Sequence, residues 1–212
     1  MKIKKFTFNS FQENTYIVHS DKKCMIIDPG CNNEFEEKII DGYIKSNNLK
    51  PIHLINTHCH LDHIFGNRYI SEKYKLKAKM HKFDYPLLTN SMMIANNYGV
   101  NLKEPSFEVD FIDENTLISL GSTKWNIIFT PGHAPGHICL WNKNEKKIIS
   151  GDVLFKMSIG RTDLPLCNYN DLIESIKNKL FCLEDETEVF CGHGENTTIG
   201  FEKKNNPFLQ SS

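Results

Sequence analysis

The sequence predicts an α/β protein of the αββα type, in which two β-sheets pack against each other and helices cover their outer faces. One observation behind this is the order of the elements, because each half of the chain combines strand-like runs with helical segments. Another is that both halves place histidine and aspartate directly after strand-like runs. Two such halves would send these side chains to one edge of the packed sheets. The length of 212 residues suits a single domain, which we expect to span residues 1–212.

The first half begins as a meander of strands and continues with alternating strand and helix. Asp21 and Lys22 form the predicted hairpin turn between its second and third strands. The spacing of apolar residues predicts a helix over Glu34–Ser46, and a second helix is predicted from Asp62 to Tyr74. The predicted strands are Ile3–Phe8, Thr15–His19, Cys24–Ile27, Ile52–Asn56 and Leu76–Met80.

The segment His81–Tyr98 is rich in Met, Leu and Tyr and is predicted to be helical. Two roles stay open for it, a helix packed on the sheet or a mobile wall over the site described below. Both are compatible with one segment, because Met-rich surfaces adapt to varied ligands.

Strand-like runs dominate from Phe107 onward. A helix is predicted over Tyr169–Leu180, and the tail Phe201–Ser212 is predicted to be a loosely docked end. The predicted strands of this half are Phe107–Ile112, Thr116–Leu120, Lys124–Phe129, His137–Trp141, Lys146–Ile149 and Glu188–Phe190.

The composition excludes several classes of function. The formal net charge of −1 argues against a dedicated nucleic-acid binder, which would carry a basic patch. The basic amino terminus is not followed by the apolar stretch of a signal peptide, and no run is long enough to cross a bilayer. We therefore expect a soluble, cytoplasmic protein without a nucleic-acid or membrane partner. Seven cysteines at irregular spacing predict reduced, mostly buried thiols rather than a disulfide framework.

The strongest functional signal is a stretch of three histidines and an aspartate that follows a buried strand. In an extended chain His58 and His60 point to the same side. Asp62 and His63 follow at the start of a predicted helix and can turn back towards the same point. Helix capping or polar loop contacts are the alternative role for these histidines, but such a density of ligand-type side chains favours a metal site. Because a catalytic zinc usually takes three protein ligands, four here suggest more than one ion.

The later chain supplies three further candidate ligands, each beside Gly or Pro after a strand-like run. They are His133 in the sequence TPGHAPGH, Asp152 in SGD, and His193 in CGHG. Cys59 and Cys191 lie close to ligands in sequence, but the alternation of side chains directs both away, so we interpret them as packing residues.

The pattern H-x-H-x-D-H, followed by a lone His, an Asp and a last His, resembles the metallo-β-lactamase superfamily. Within it, the chain is most similar to the glyoxalase II-like (hydroxyacylglutathione hydrolase-like) metallohydrolases, of the short type without the extra C-terminal helical domain. This resemblance implies the same αββα fold. Further stretches that carry it are Phe11–Tyr16, Ile27–Gly30, Gly151–Phe155 with Ser158–Pro165, and Gly192–Gly200.

The resemblance implies a binuclear metal centre. Carried over position by position, one ion would be held by His58, His60 and His133, the other by Asp62, His63 and His193, and both by Asp152. The expected cofactors are two divalent ions, zinc first, with iron or manganese as alternatives, because histidine and carboxylate ligands suit all three. Ions about 3.5–4 Å apart would lower the pKa of a bridging water, and the resulting hydroxide would attack a carbonyl. Asp62 and Asp152 are the expected catalytic residues, with Asp62 orienting the nucleophile or taking its proton.

The implied activity is that of a metal-dependent hydrolase cleaving a small-molecule acyl thioester such as S-lactoylglutathione. In glyoxalase II-like proteins a cation in the loop after the bridging Asp binds the glutathione carboxylate, and Arg161 stands close to that place. A guanidinium can clamp a carboxylate through two hydrogen bonds, so Arg161 is the candidate substrate-binding residue. A structural ion pair between Arg161 and Asp163 is the alternative role. Another thioester or a lactone stays open as the substrate, since the absent C-terminal domain removes other glutathione contacts.

Two further classes of function stay open. A persulfide dioxygenase would use a single iron on His58, His133 and Asp152, a facial triad with three open positions. The residues around Arg161 look more like those of the short hydrolases. A non-catalytic member of the fold usually loses ligands, whereas all seven ligand positions are filled here. No oligomeric state is predicted.

Overall fold

The computed structural model describes residues 1–210 and divides into two compact units. The first unit comprises Met1–Ile112 and Ser119–Thr123, and the second comprises Asp113–Ile118 and the chain from Lys124 onward. The prediction that residues 1–212 form a single domain stays a prediction. One mixed β-sheet lies in the first unit and most of the other lies in the second, and each unit has its own helices, as the alternating patterns of the sequence predicted.

The first sheet has six strands in the order of the sequence. They are β1 (Lys2–Phe8), β2 (Glu13–Ser20), β3 (Lys23–Ile27), β4 (Lys50–Ile55), β5 (Ala78–Met80) and β6 (Val109–Phe111). The strands β1 to β3 pair antiparallel, and β3 to β6 pair parallel. The predicted turn between β2 and β3 is confirmed, because Asp21 and Lys22 both have positive φ, the conformation that a tight hairpin turn of this hand needs.

The helices of the first unit match the prediction at α1 and depart from it later. The bounds are α1 (Glu34–Ser46), α2 (Leu61–Ile64), α3 (Asn67–Tyr74), α4 (Tyr85–Thr89) and α5 (Ser91–Tyr98), with a 3-10 turn over Lys82–Asp84. The single helix predicted from Asp62 to Tyr74 is wrong. At Gly66 the backbone N–H donates to Pro29 O at 2.7 Å instead of to the preceding turn, so the helix is interrupted. A Cβ at Gly66 would lie 2.3 Å from Cys31 Sγ, which requires glycine there.

The Met-rich segment is likewise a series of short helices rather than one. Pro86 lies at the start of α4, where its missing N–H costs least, and so begins a new helix after the 3-10 turn. From α5, Ala95 packs against Leu61 and Phe65 in one apolar cluster. α5 thus packs against α2 and the residue after it, and the two roles predicted for the segment, a helix packed on the sheet or a mobile wall, both stay predictions.

The second sheet also has six strands, in the order β14-β13-β10-β9-β8-β7. Their bounds are β7 (Leu117–Leu120), β8 (Thr123–Phe129), β9 (Ile138–Asn142), β10 (Lys147–Gly151), β13 (Glu188–Cys191) and β14 (Thr197–Thr198). The strands β10 and β13 pair parallel. On either side of them, β9 pairs antiparallel with β10, and β14 pairs antiparallel with β13. A small hairpin, β11 (Leu154–Phe155) with β12 (Ser158–Ile159), follows β10 and was not predicted, since two-residue strands give no periodic signal.

The helices of this unit are α6 (Tyr169–Ser175), a π-helical turn (Ile176–Leu180) and α7 (Ile199–Asn205). The prediction of a loosely docked tail is wrong for residues 201–210. Glu202 and Asn206 are fully buried and Leu209 is 5% exposed, because the polar side chains hydrogen-bond within the unit and the apolar one joins its core. The last two positions of that prediction lie outside the described residues. Within residues 1–210, no helix has the length and apolarity that crossing a membrane requires.

Candidate metal centre

The first unit brings His58, His60 and His63 together, as the sequence predicted. The chain leaves β4 in an extended conformation and keeps it through His60, which caps α2 with φ −67° and ψ 153°. The ring centroids of His58 and His60 lie 4.8 Å apart, and those of His58 and His63 lie 4.1 Å apart. Asp62 Oδ2 lies 3.7 Å from His63 Nε2. Four ligand-type side chains therefore converge at the carboxyl end of one parallel strand.

Asp28, at the end of β3, holds two of these histidines. Its Oδ2 lies 3.2 Å from His63 Nδ1, which favours a proton on Nδ1 and leaves Nε2 as the ligand atom. The Thr57 hydroxyl donates to the same Oδ2 at 2.6 Å and faces His58 Nδ1 at 3.1 Å. Because that hydroxyl has one hydrogen, it accepts from Nδ1–H of His58. Both imidazoles are thus fixed with Nε2 available.

Asp28 was not among the site residues that the sequence predicted. In the sequence it belongs to the family-like stretch Ile27–Gly30. Its place directly after the buried strand β3 is the signal in the sequence that could have identified it. A carboxylate at such a place is buried and therefore needs a polar partner. Glu13, also unpredicted, lies 3.9 Å from His63 Nδ1. Complete burial is the largest cause that raises the pKa of Glu13 well above its usual range.

The packing role predicted for Cys59 agrees with its surroundings. Its thiol lies 3.4 Å from Met80 Sδ, and its backbone N–H donates to Asp84 Oδ2 at 2.7 Å. Burial raises the pKa of Cys59 and also that of Cys191, the latter to about 12. Neither thiol has the low pKa that a thiolate ligand or nucleophile needs. Five of the seven cysteines are buried, and none forms a disulfide within the described residues.

The second unit brings the other three predicted ligands together around one carboxylate. Asp152 Oδ2 lies 3.4 Å from His133 Nε2 and 3.4 Å from His193 Nε2. Asp152 follows β10 at Gly151, where φ is +47° and the pairing with β13 shifts register. This irregularity turns the carboxylate out of the sheet alternation and towards the two imidazoles.

His137 and the backbone of Arg161 hold these ligands in place. The N–H of Asp152 donates to His137 Nε2 at 3.1 Å, so the buried His137 is a neutral imidazole protonated on Nδ1. His133 Nδ1 donates to Arg161 O at 2.8 Å, which again leaves Nε2 as the ligand atom. Gly160 permits this approach, since a Cβ there would lie 1.9 Å from Asp152 O.

The guanidinium of Arg161 pairs with Asp163, which was the alternative role. Nε donates to Oδ1 and Nη2 to Oδ2 of Asp163, both at 2.9 Å. The side chains are 66% and 68% exposed, so the pair lies at the surface of the unit. Substrate binding by Arg161 stays a prediction.

The donor set in each unit fits a divalent ion of the zinc, iron or manganese type. All candidate atoms are imidazole nitrogens or carboxylate oxygens, and thiolates are absent from the set. With metal–ligand bonds of about 2.0–2.2 Å, two ligand atoms on a tetrahedral ion lie roughly 3.3–3.5 Å apart. The 3.4 Å separations around Asp152 match this spacing. The second unit therefore presents nitrogen and oxygen atoms already spaced for coordination.

Comparison with known proteins decides the family. The profile of the Metallo-beta-lactamase superfamily matches residues 9–193. The chain belongs to the metallo-β-lactamase superfamily. It is 34% identical over 210 residues to the "Probable metallo-hydrolase YqgX" of Bacillus subtilis (strain 168), covering 99% of this chain and 98% of that one. It is 36% identical over 217 residues to the "Hydroxyacylglutathione hydrolase GloC" of Haemophilus influenzae, covering 100% and 99%.

Two solved structures of this superfamily are similar over nearly their whole length. BLEG-1, described as a B3 metallo-β-lactamase, has a TM-score of 0.90 and 30% identity, covering 99% of this chain and 100% of that one. TTHA1623, in a di-iron-bound form, has a TM-score of 0.87 and 33% identity, covering 97% and 99%. The predicted fold class, the α/β metallo-β-lactamase fold, is confirmed. Membership of this superfamily of metallo-hydrolases supports a metal-dependent hydrolase, and the assignment of the seven ligands to two ions stays a prediction.

Proposed function

We propose that this chain is a binuclear metal-dependent hydrolase that cleaves an acyl thioester such as S-lactoylglutathione. The observation that carries the proposal is the position of Asp152 Oδ2, equally distant from His133 Nε2 and His193 Nε2. The superfamily pattern assigns these two histidines to different ions, and a carboxylate placed evenly between them suits a bridge. The similarity to a hydroxyacylglutathione hydrolase supports a thioester as the substrate class.

The residues that would hold the two ions are the seven that the sequence predicted. One set is His58, His60 and His133, the other is Asp62, His63 and His193, and Asp152 belongs to both. When bound, the ions would supply a water molecule that is deprotonated near neutral pH and positive charge for the carbonyl oxygen.

The chain's own residues orient these ligands and handle the proton. Asp28 holds His63 and, through the Thr57 hydroxyl, His58, so that their Nε2 atoms keep one direction during turnover. The Asp62 side chain is 15% exposed, whereas that of His63 is fully buried. Asp62 is thus a carboxylate ligand within reach of solvent, and it would orient the attacking water or accept its proton.

Hydrolysis of S-lactoylglutathione by the purified protein tests the proposal. The protein is loaded separately with zinc, iron and manganese, since a similar structure holds two irons. Turnover that depends on the metal and is lost in His58→Ala is the expected result. A chromogenic cephalosporin is assayed in parallel, because another similar structure is described as a β-lactamase.

The proposal is wrong if no metal supports thioester hydrolysis. Oxygen uptake with glutathione persulfide in the iron-loaded protein would then establish the dioxygenase alternative. A protein that takes up none of the three metals would contradict both catalytic functions.

A further inference from the structure

The loop that follows Asp152 carries two cations, and each is already paired with a carboxylate of the same unit. Arg161 makes a two-point contact with Asp163, with both donor–acceptor distances 2.9 Å. Lys156, between β11 and β12, lies 2.5 Å from Glu195 Oε2. The positive charge that could attract an anionic substrate is therefore balanced by carboxylates of the same unit.

The backbone beneath the Arg161 pair is fixed to the metal ligands of this unit. Arg161 O accepts from His133 Nδ1 at 2.8 Å, and Gly160 packs against Asp152 too closely for any side chain. The charged ends, by contrast, are two-thirds exposed. The backbone of Arg161 therefore lies beside His133, and its guanidinium is accessible to small molecules.

An exposed ion pair of this kind contributes little to stability, because water screens the charges and both side chains lose conformational entropy. It still affects ligands, because a substrate carboxylate that needs the Nε and Nη2 donors of Arg161 has to displace Asp163. The hydrogen bonds from Arg161 lower the pKa of Asp163, so the competing carboxylate is ionised at neutral pH.

We propose that Asp163 is a specificity-determining residue that competes with substrate carboxylates for Arg161 and so makes this chain favour uncharged acyl thioesters over glutathione thioesters. The proposal rests on the proposed thioesterase function for its kinetic test. Its binding test requires no turnover. The opposite hypothesis is that Asp163 holds the guanidinium of Arg161 in place for binding a substrate carboxylate. Removal of Asp163 would then disorder the guanidinium and weaken binding.

The kinetic test compares two thioesters with the same acyl group, S-lactoylglutathione and the uncharged S-lactoyl-N-acetylcysteamine. In Asp163→Asn, the ratio of the KM for the glutathione thioester to the KM for the uncharged one is expected to fall three- to tenfold. The matched control is Asp185→Asn, which makes the same charge change where Asp185, exposed on another loop, pairs with Lys203 of α7. It should leave the ratio unchanged.

The binding test uses S-methylglutathione, which carries the carboxylates but is not hydrolysed, and isothermal titration calorimetry of the metal-loaded protein. Asp163→Asn should lower its Kd three- to tenfold, and the additional change Arg161→Ala should abolish the gain. An unchanged or higher Kd in Asp163→Asn, or a gain that persists without Arg161, overturns the proposal. If no thioester is hydrolysed, the proposed function fails while the Kd comparison still decides the role of Asp163.

Discussion

Asp152 shows how one residue is placed by several others. Its N–H is held by His137, its position follows from the irregular end of β10 at Gly151, and its Oδ2 faces two imidazoles. The first of these features fixes the backbone of Asp152, the second fixes the direction of the chain, and the third fixes the orientation of the carboxylate. A side chain held in this way loses little entropy on binding an ion, which is what a preorganised ligand requires.

Asp152→Asn is expected to reduce turnover by more than about 100-fold, because the amide cannot provide an anionic oxygen to two ions. Metal analysis of the same sample should show fewer than two ions per chain. Asp185→Asn is the control for the loss of one carboxylate charge, and circular dichroism confirms that both variants fold. Full activity in Asp152→Asn would refute the two-metal assignment.

At the scale of elements, α7 is joined to the hairpin that follows Asp152. Glu202 accepts from the Met157 N–H at 3.0 Å, from Thr197 Oγ1 at 2.5 Å and from Asn206 Nδ2 at 2.8 Å. Asn206 in turn donates to Ser158 O at 2.9 Å. The helix α7 and the residue after it thus fix the hairpin β11–β12 through buried hydrogen bonds, and not through apolar packing alone.

Glu202→Ala should destabilise the protein by about 3 kcal/mol, since three donors lose a buried acceptor at once. Urea denaturation followed by fluorescence measures this change in the free energy of unfolding. Glu174→Ala, at an exposed position of α6, removes the same side chain from a solvated helix face and should change stability by less than about 0.5 kcal/mol. Equal effects of the two substitutions would show that the buried contacts of Glu202 do not stabilise the tail.

At the scale of the whole molecule, the half-buried His53, which lies outside the candidate metal centre, links stability to pH. Burial is the largest cause that lowers the pKa of His53, and its Nε2 donates to Ser119 O at 3.0 Å. Nδ1 is buried with no hydrogen-bond partner among the described residues, so a second proton there would have no acceptor. The unfolded chain, where the pKa is about 6.5, binds that proton more readily than the folded one.

His53 should therefore contribute stability above pH 6.5 that is lost as the pH falls below that value. Wild type is expected to lose up to about 1 kcal/mol more than His53→Gln between pH 7.5 and pH 5.5. Thermal unfolding of both proteins over this pH range measures the difference, and every other histidine is common to the pair. Parallel Tm curves would contradict the prediction.

Local pattern explains which features of the fold could be predicted from sequence. Alternation and helical spacing located most strands and α1, because these periods depend only on neighbouring residues. The hairpin turn at Asp21 and Lys22 followed from turn chemistry alone. The grouping of His58, His60 and His63 followed from an extended chain running into a helix start. Contacts between distant segments left no such trace, as the break at Gly66 and the docked tail show.

The sequence by itself determined the superfamily, the α/β class and the ligand types, since each of these depends on short stretches of residues whose local geometry follows from their spacing. Tertiary structure alone decided that Asp28 orients His63, that His137 holds Asp152, and that Glu202 fixes the hairpin β11–β12. The physical reason is that a buried polar group takes whichever partner the packed backbone brings within reach, and that partner is usually far away in the chain.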